Sequence, residues 1–127
     1  MALQADITAG LTARMPDGVL EQVVDNLIDN AVEACRDGGA VHVTAVASGP
    51  DALIEVSDDG QGMTDDDKQH AFDRFWRAPT SRAGAGTGLG LPIVRRLVEG
   101  AGGTVTLGDS DGQSGLRVTV RLPRDSR

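Results

Sequence analysis

Apolar residues recur at three- and four-residue steps from residue 19 to the glycines at 38 and 39. Leu20, Val23, Val24, Leu27, Ile28, Ala31 and Ala34 fall on one side of a helix, and Gly38-Gly39 ends it. Pro16, Asp17 and Gly18 form a turn ahead of it, with Asp17 placed to cap the first turn. The pattern then changes to alternation. AVHVTAVAS (40–48) and DALIEVSDD (51–59) read as two strands joined at Gly49-Pro50, a hairpin. Residues 65–77, DDDKQHAFDRFWR, suit short helices. LPIVRRLVEGAGG (91–103) is a second long helical run, in which Pro92 is tolerable only near the first turn. TVTLGD (104–109) and GLRVTVRLP (115–123) alternate again and predict a second hairpin, turned by SDGQSG. The opening ALQADITAG alternates weakly and predicts an edge strand.

This order is strand, helix, two strands, loop, helix, two strands. Five mostly alternating strands predict a mixed, largely antiparallel sheet with one wet face and helices on the other. Repeated βαβ units do not fit the spacing. The expected fold is an α/β two-layer sandwich, and 127 residues suffice for one such domain, 1–127.

A formal charge of −7 gives no electrostatic case for nucleic acid or an anionic membrane surface. No apolar run approaches the length of a bilayer span and no secretory signal is evident. Cys35 is alone, which rules out an internal disulfide and a cysteine metal site. Lys68 is the only lysine, so arginine is the abundant cation for gripping anions. The three aromatic residues, Phe72, Phe75 and Trp76, all fall at one spot.

Four stretches carry candidate chemistry. Asn26 and Asn30 share one face of the first helix, although asparagine is a mediocre helix former. Solvent exposure explains one of them; a stacked pair among apolar residues points to a polar site. Asp58-Asp59-Gly60-Gln61-Gly62 ends a strand, where a carboxylate could accept from an exocyclic amino group such as that of adenine. Asp-Gly is equally a common turn. Gly86, Gly88 and Gly90 alternate just before a helix start, where backbone amides and the helix dipole favour an anion. The P-loop and Gly-x-Gly-x-x-Gly patterns are both absent. Arg74, Arg77 and Arg82 lie between the glycine motifs. One charge-assisted hydrogen bond from them to a phosphate would be worth roughly 1.5–3 kcal/mol. His42 and His70 lack the partners of a zinc site, and Asp65-Asp66-Asp67 reads as a solvated helix cap, without calcium-loop spacing.

EQVVDNLIDNA, VSDDGQGM, FDRFWR and GTGLGLPIV, in this order, resemble the catalytic ATP-binding domain of two-component sensor histidine kinases. That superfamily also holds DNA gyrase, Hsp90 chaperones and MutL. The resemblance covers almost the whole chain and includes the closing SGLRVTVRLP. It implies a Bergerat-type ATP-binding fold. It also implies that Asn30 coordinates Mg²⁺ bridging the ATP phosphates, with Asn26 one turn away in the phosphate site. Asp58 would bind the adenine amino group, and Gly60, Gly62 and Met63 would pack around the base. Arg77 would approach the terminal phosphate. Gly86, Thr87, Gly88, Leu89, Gly90 and Leu91 would form the hinge of a mobile lid and the phosphate-facing backbone. The aromatic block looks like the family's F box, which anchors that lid.

Two departures bear on strength and reaction. Many relatives carry a lysine and an aromatic ring where this chain has Glu33 and Ala34, so weaker nucleotide binding is expected. Gln22 stands where the ATP-hydrolysing relatives place a general-base glutamate, and glutamine cannot deprotonate water. The resemblance therefore implies transfer of the γ-phosphoryl group to a histidine on a separate dimerisation domain, for relay to a response regulator. The chain itself lacks a phosphoacceptor helix and is not expected to label itself. A cytoplasmic location within a membrane-anchored sensor is implied, without membrane insertion of this domain. Three other readings stay open: an anti-sigma-factor serine kinase, a catalytically weak nucleotide-binding regulator, and a plain α/β domain with decorative glycine loops.

Overall fold

A computed structural model describes residues 2–7, 18–34, 39–60, 64–73, 90–109 and 115–124. The elements are β1 (Ala2–Ile7), α1 (Val19–Ala34), β2 (Ala40–Ser48), β3 (Asp51–Asp58), α2 (Asp65–His70), α3 (Gly90–Gly100), β4 (Thr104–Asp109) and β5 (Leu116–Pro123). The strands form one five-stranded sheet in the order β1-β2-β3-β5-β4. β1 lies at the edge and pairs parallel to β2, whereas the other three pairings are antiparallel. A single strand–helix–strand crossover thus opens the chain, and two hairpins follow. The sheet is mixed and largely antiparallel, as the alternation predicts.

β3 and β5 are neighbours although α2, α3 and β4 lie between them in sequence. Ser57 pairs with Arg117, so the C-terminal end of β3 meets the N-terminal end of β5. That pairing decides where Asp58 sits.

The core lies between the sheet and the helices. Val41, Val43 and Ala45 of β2, Ile54 and Val56 of β3, and Val118, Val120 and Leu122 of β5 alternate toward it. α1 contributes Val23, Leu27 and Ala31, and α3 contributes Leu91, Val94 and Val98. In each helix these positions follow the three- and four-residue steps that create an apolar stripe. α1 and α3 also pack on one another. The opposite sheet face is polar: Thr119 Oγ1 donates to Glu55 Oε2 at 3.2 Å, and Arg121 Nη1 to Asp51 Oδ2 at 3.2 Å.

α3 has a local explanation at both ends. Pro92 is its third residue, within the first turn, where a missing amide breaks no helical bond. At the other end the Gly103 amide donates to Val98 O at 2.9 Å and the Gly102 amide to Glu99 O at 3.0 Å, with Gly102 at φ 83°. This is a Schellman ending, and the positive φ explains the glycine. α2 is capped by Thr64, whose Oγ1 accepts from the Asp67 amide at 3.0 Å. Asp65, Asp66 and Asp67 therefore occupy the first turn, where negative charge suits the helix dipole, and Thr64 is the cap itself.

Candidate functional site

Asp58 is the one buried charged side chain among the described residues, at 6% exposure. It sits there because β3 alternates inward at positions 52, 54, 56 and 58, and the last inward position is a carboxylate. Burying a charge is costly unless hydrogen bonds compensate. Two backbone amides supply compensation at one oxygen: Gly60 N donates to Oδ1 at 2.9 Å and Leu116 N at 3.3 Å. Burial pushes the Asp58 carboxyl above its ordinary value, the two amides pull it down less strongly, and neighbouring Asp59 adds to the rise.

Asp59 has a different task. Its Oδ1 accepts from the Ala40 amide at 2.8 Å, and its own amide donates to Ala40 O at 3.3 Å. The acidic pair thus divides: Asp59 fastens the end of β3 to the start of β2, and Asp58 turns inward. A carboxylate can take about four donors, so two amides on Oδ1 are compatible with a further donor from a ligand.

Asn26 and Asn30 stand one turn apart on α1, which packs against β3. Asn26 is half-buried and Asn30 exposed. Asn30 offers an amide oxygen, a hard donor suited to Mg²⁺, which commonly takes few protein ligands together with phosphate oxygens and water. No group of three His, Cys, Asp or Glu side chains that could cage a metal exists among the described residues. The donor set fits a nucleotide-borne ion better than a closed protein site. Glu33 is exposed one turn further on.

Gly60 enters the site through its amide on Asp58. Gly90 is the first residue of α3, one position earlier than the start at Leu91 that the sequence pattern predicts. Leu91 is buried, and its side chain packs in the core with Val94 and Val98, fixing the seat of the first turn of α3. Gly62, Met63, Arg77, Gly86, Thr87, Gly88 and Leu89 lie outside the described residues, as do Arg74, Phe75, Trp76 and Arg82.

The run-up to the aromatic block is anchored in several ways. Ala71 is buried and Phe72 packs against the core. The Arg95 guanidinium of α3 lies over the Phe72 ring at 5.2 Å and also bonds Glu99 at 3.2 Å. Lys68 reaches from α2 to Asp109 of β4, and also pairs with Asp65 at 3.7 Å. His70 Nδ1 pairs with Asp73 Oδ2 at 3.0 Å, and that bond holds its pKa above 6.5. The tie contributes fully below 6.5 and is lost as pH rises through the raised value. NMR titration of the His70 ring is expected to give a midpoint above 6.5, and Asp73→Asn should move it down. An unshifted midpoint in both proteins would contradict the pairing.

Sequence reasoning missed the Asp59–Ala40 clasp, the Leu116 amide on Asp58, and the Lys68 and Arg95 anchors. Only Lys68, as the sole lysine, carried any signal in the sequence.

Residues 17–126 match the family model of histidine kinase-, DNA gyrase B-, and HSP90-like ATPases. The sensor protein kinase PmrB of Pseudomonas aeruginosa is 39% identical over 105 residues, which cover 83% of this chain and 22% of PmrB. The signal transduction histidine-protein kinase AfsQ2 of Streptomyces coelicolor is 34% identical over 125 residues, 98% of this chain and 23% of AfsQ2. The chain therefore spans under a quarter of either relative. Among solved structures, the mycobacterial sensor histidine kinase MprB matches with a TM-score of 0.88 at 28% identity, over 97% of this chain and 83% of that one. Full-length ShkA in complex with AMPPNP matches with a TM-score of 0.82 at 27% identity, over 99% of this chain and 26% of that one. A buried strand-end carboxylate and a helix with two asparagines one turn apart thus occur on a fold shared with these kinases, and the chain belongs to the histidine kinase-, DNA gyrase B-, and HSP90-like ATPase family.

Proposed function

We propose that this domain binds Mg-ATP and donates its γ-phosphoryl group to a histidine on the dimerisation domain of a sensor kinase, which then passes it to a response regulator. The observation that carries this is Asp58: a buried carboxylate, oriented by two backbone amides at the end of β3. Carboxylates accept only, and adenine presents an amino donor. Asp58 would hold the base, with Gly60, Gly62 and Met63 around it. Asn26 and Asn30 would face the phosphates, and Asn30 would hold Mg²⁺, which when bound neutralises charge on the phosphate oxygens. Arg77 and the backbone from Gly86 through Thr87, Gly88, Leu89 and Gly90 to Leu91 would complete the phosphate side. Positioning and fixed donors then do most of the catalytic work, as phosphoryl transfer allows. Gln22, exposed on α1, leaves no carboxylate base at that position to activate water. A histidine nitrogen is itself nucleophilic and needs no such base.

The AMPPNP complex of the ShkA relative supports nucleotide binding at this fold. No helix among the described residues is long and apolar enough to cross a membrane. A cytoplasmic placement within a membrane-anchored sensor is part of the proposal. Titrating Mg-ATP into the labelled chain should shift the amides of Asp58 and Gly88. Absence of shifts at both would return the chain to a fold without this ligand. Glu33 and the residue at 34, Ala34, in place of a lysine and a ring, are expected to make that binding weak. An affinity at low-micromolar levels or tighter contradicts this expectation.

A further inference from the structure

β5 begins where backbone meets backbone. Gly115, the residue before it, is buried and has a φ of 134°. A Cβ built there would be driven into the Asp58 carbonyl oxygen, and would lie 2.9 Å from the Asp58 carbonyl carbon and 3.0 Å from Asp59 Cα. The next residue, Leu116, supplies the amide that donates to Asp58 Oδ1 at 3.3 Å. Gly60 supplies the second amide on that oxygen, from the same chain end, two residues on. The carboxylate is therefore held by the bend that follows β3 and by the first residue of β5, and only a residue without a side chain at 115 lets β5 come close enough.

We propose that Gly115 is a positioning residue for purine selection: by admitting β5 against the end of β3, it places the Leu116 amide that aims the Asp58 carboxylate at the base. The inference rests on the reading of Asp58 as acceptor of the adenine amino group. It goes further in assigning specificity to a residue that touches no nucleotide. A carboxylate rewards a donor at that purine position and repels the carbonyl that guanine presents there. Its aim is what sets the preference. Substituting Gly115 puts steric pressure on the backbone of Asp58 and at a φ that side chains rarely adopt.

The test compares ATP with purine riboside triphosphate, which lacks only the amino group. The wild-type chain is expected to prefer ATP by about tenfold or more, since a buried carboxylate gains a charge-assisted hydrogen bond from the amino group that the analogue cannot offer. Gly115→Ala should lose most of that preference, with ATP weakened toward the analogue and the analogue changed by less than about twofold. Gly103→Ala is the matched control. Its Cβ would be driven into the Arg121 carbonyl oxygen and lie 2.8 Å from Leu122 Cδ2, at the far end of β5. It should lower thermal stability but keep the preference. Retention of the preference in Gly115→Ala, or its loss in Gly103→Ala, overturns the proposal. A wild-type chain that binds ATP without preferring it over the analogue refutes the Asp58 reading instead. Should Gly115→Ala fail to fold, NMR of the wild type decides. The Leu116 and Gly60 amides should shift together as Asp58 titrates, with a shared midpoint above 3.8. A Leu116 amide indifferent to that titration overturns the proposal.

Discussion

Asp58→Asn is expected to weaken ATP binding by about 10- to 100-fold and, in the same protein, to raise thermal stability near neutral pH. The two effects share one cause. The carboxylate is buried, and burial holds its pKa above 3.8 in the folded chain. As pH rises from 3.8, the unfolded chain ionises first and the folded state loses ground until its own raised value is passed. Stability associated with this group is therefore complete below 3.8 and reduced at neutral pH. Asparagine keeps an oxygen for the Gly60 and Leu116 amides but carries no charge. The variant's advantage should appear at neutral pH and vanish below 3.8. Against the base, the asparagine amino group would place donor against donor. Calorimetric titration with Mg-ATP and thermal melts at the two pH values check both halves. Undiminished affinity, or lower stability at neutral pH, contradicts the assigned role. Such a trade of stability for binding is common at functional sites.

Asn30→Ala is expected to reduce phosphoryl transfer by about 100-fold or more while leaving the fold unchanged. Asn30 is exposed on α1, away from the apolar stripe of Val23, Leu27 and Ala31. Alanine is the best helix former, so the substitution should not weaken α1. A positioned metal supplies several kcal/mol to a transferring phosphoryl group, which sets the size of the loss. Adenosine binding without magnesium should be unaffected, because the proposed function sets Asp58, and not Asn30, against the base. Transfer measured with a supplied phosphoacceptor domain, alongside adenosine titration and a thermal melt, separates these outcomes. Full transfer activity in the variant would remove Asn30 from the metal site.

The parts of the fold that were legible in the sequence are those fixed by local periodicity. α1 and α3 follow from three- and four-residue apolar steps, and the two hairpins from alternation broken at Gly49-Pro50 and after Asp109. The edge position of β1 follows from its weak alternation, but its parallel pairing to β2 does not. The β3–β5 pairing was equally hidden, because it joins segments separated by two helices and a strand. That pairing makes the site. Asp58 could be singled out by motif, yet its second amide donor comes from Leu116, fifty-eight positions away. Gly115 read as one more turn glycine in SDGQSG, since nothing local marks a glycine whose neighbour in space is another strand. The helix cap shows the same limit on a smaller scale: three aspartates drew attention, while Thr64 does the capping. Asn26, Asn30 and Gly60 are placed on the expected elements, and Gly90 falls inside α3 rather than just ahead of it. Arg77 and most of the glycine run lie outside the described residues.

The most direct measurement supplies the chain with γ-phosphate-labelled Mg-ATP, with and without a purified dimerisation domain of the kind the proposed function requires. The expected result is label only when that domain is present, on its histidine, as a bond stable in alkali and lost in acid. Label appearing on His42 or His70 of the chain alone, or a serine accepting it when an anti-sigma partner is offered instead, would contradict histidine transfer in trans.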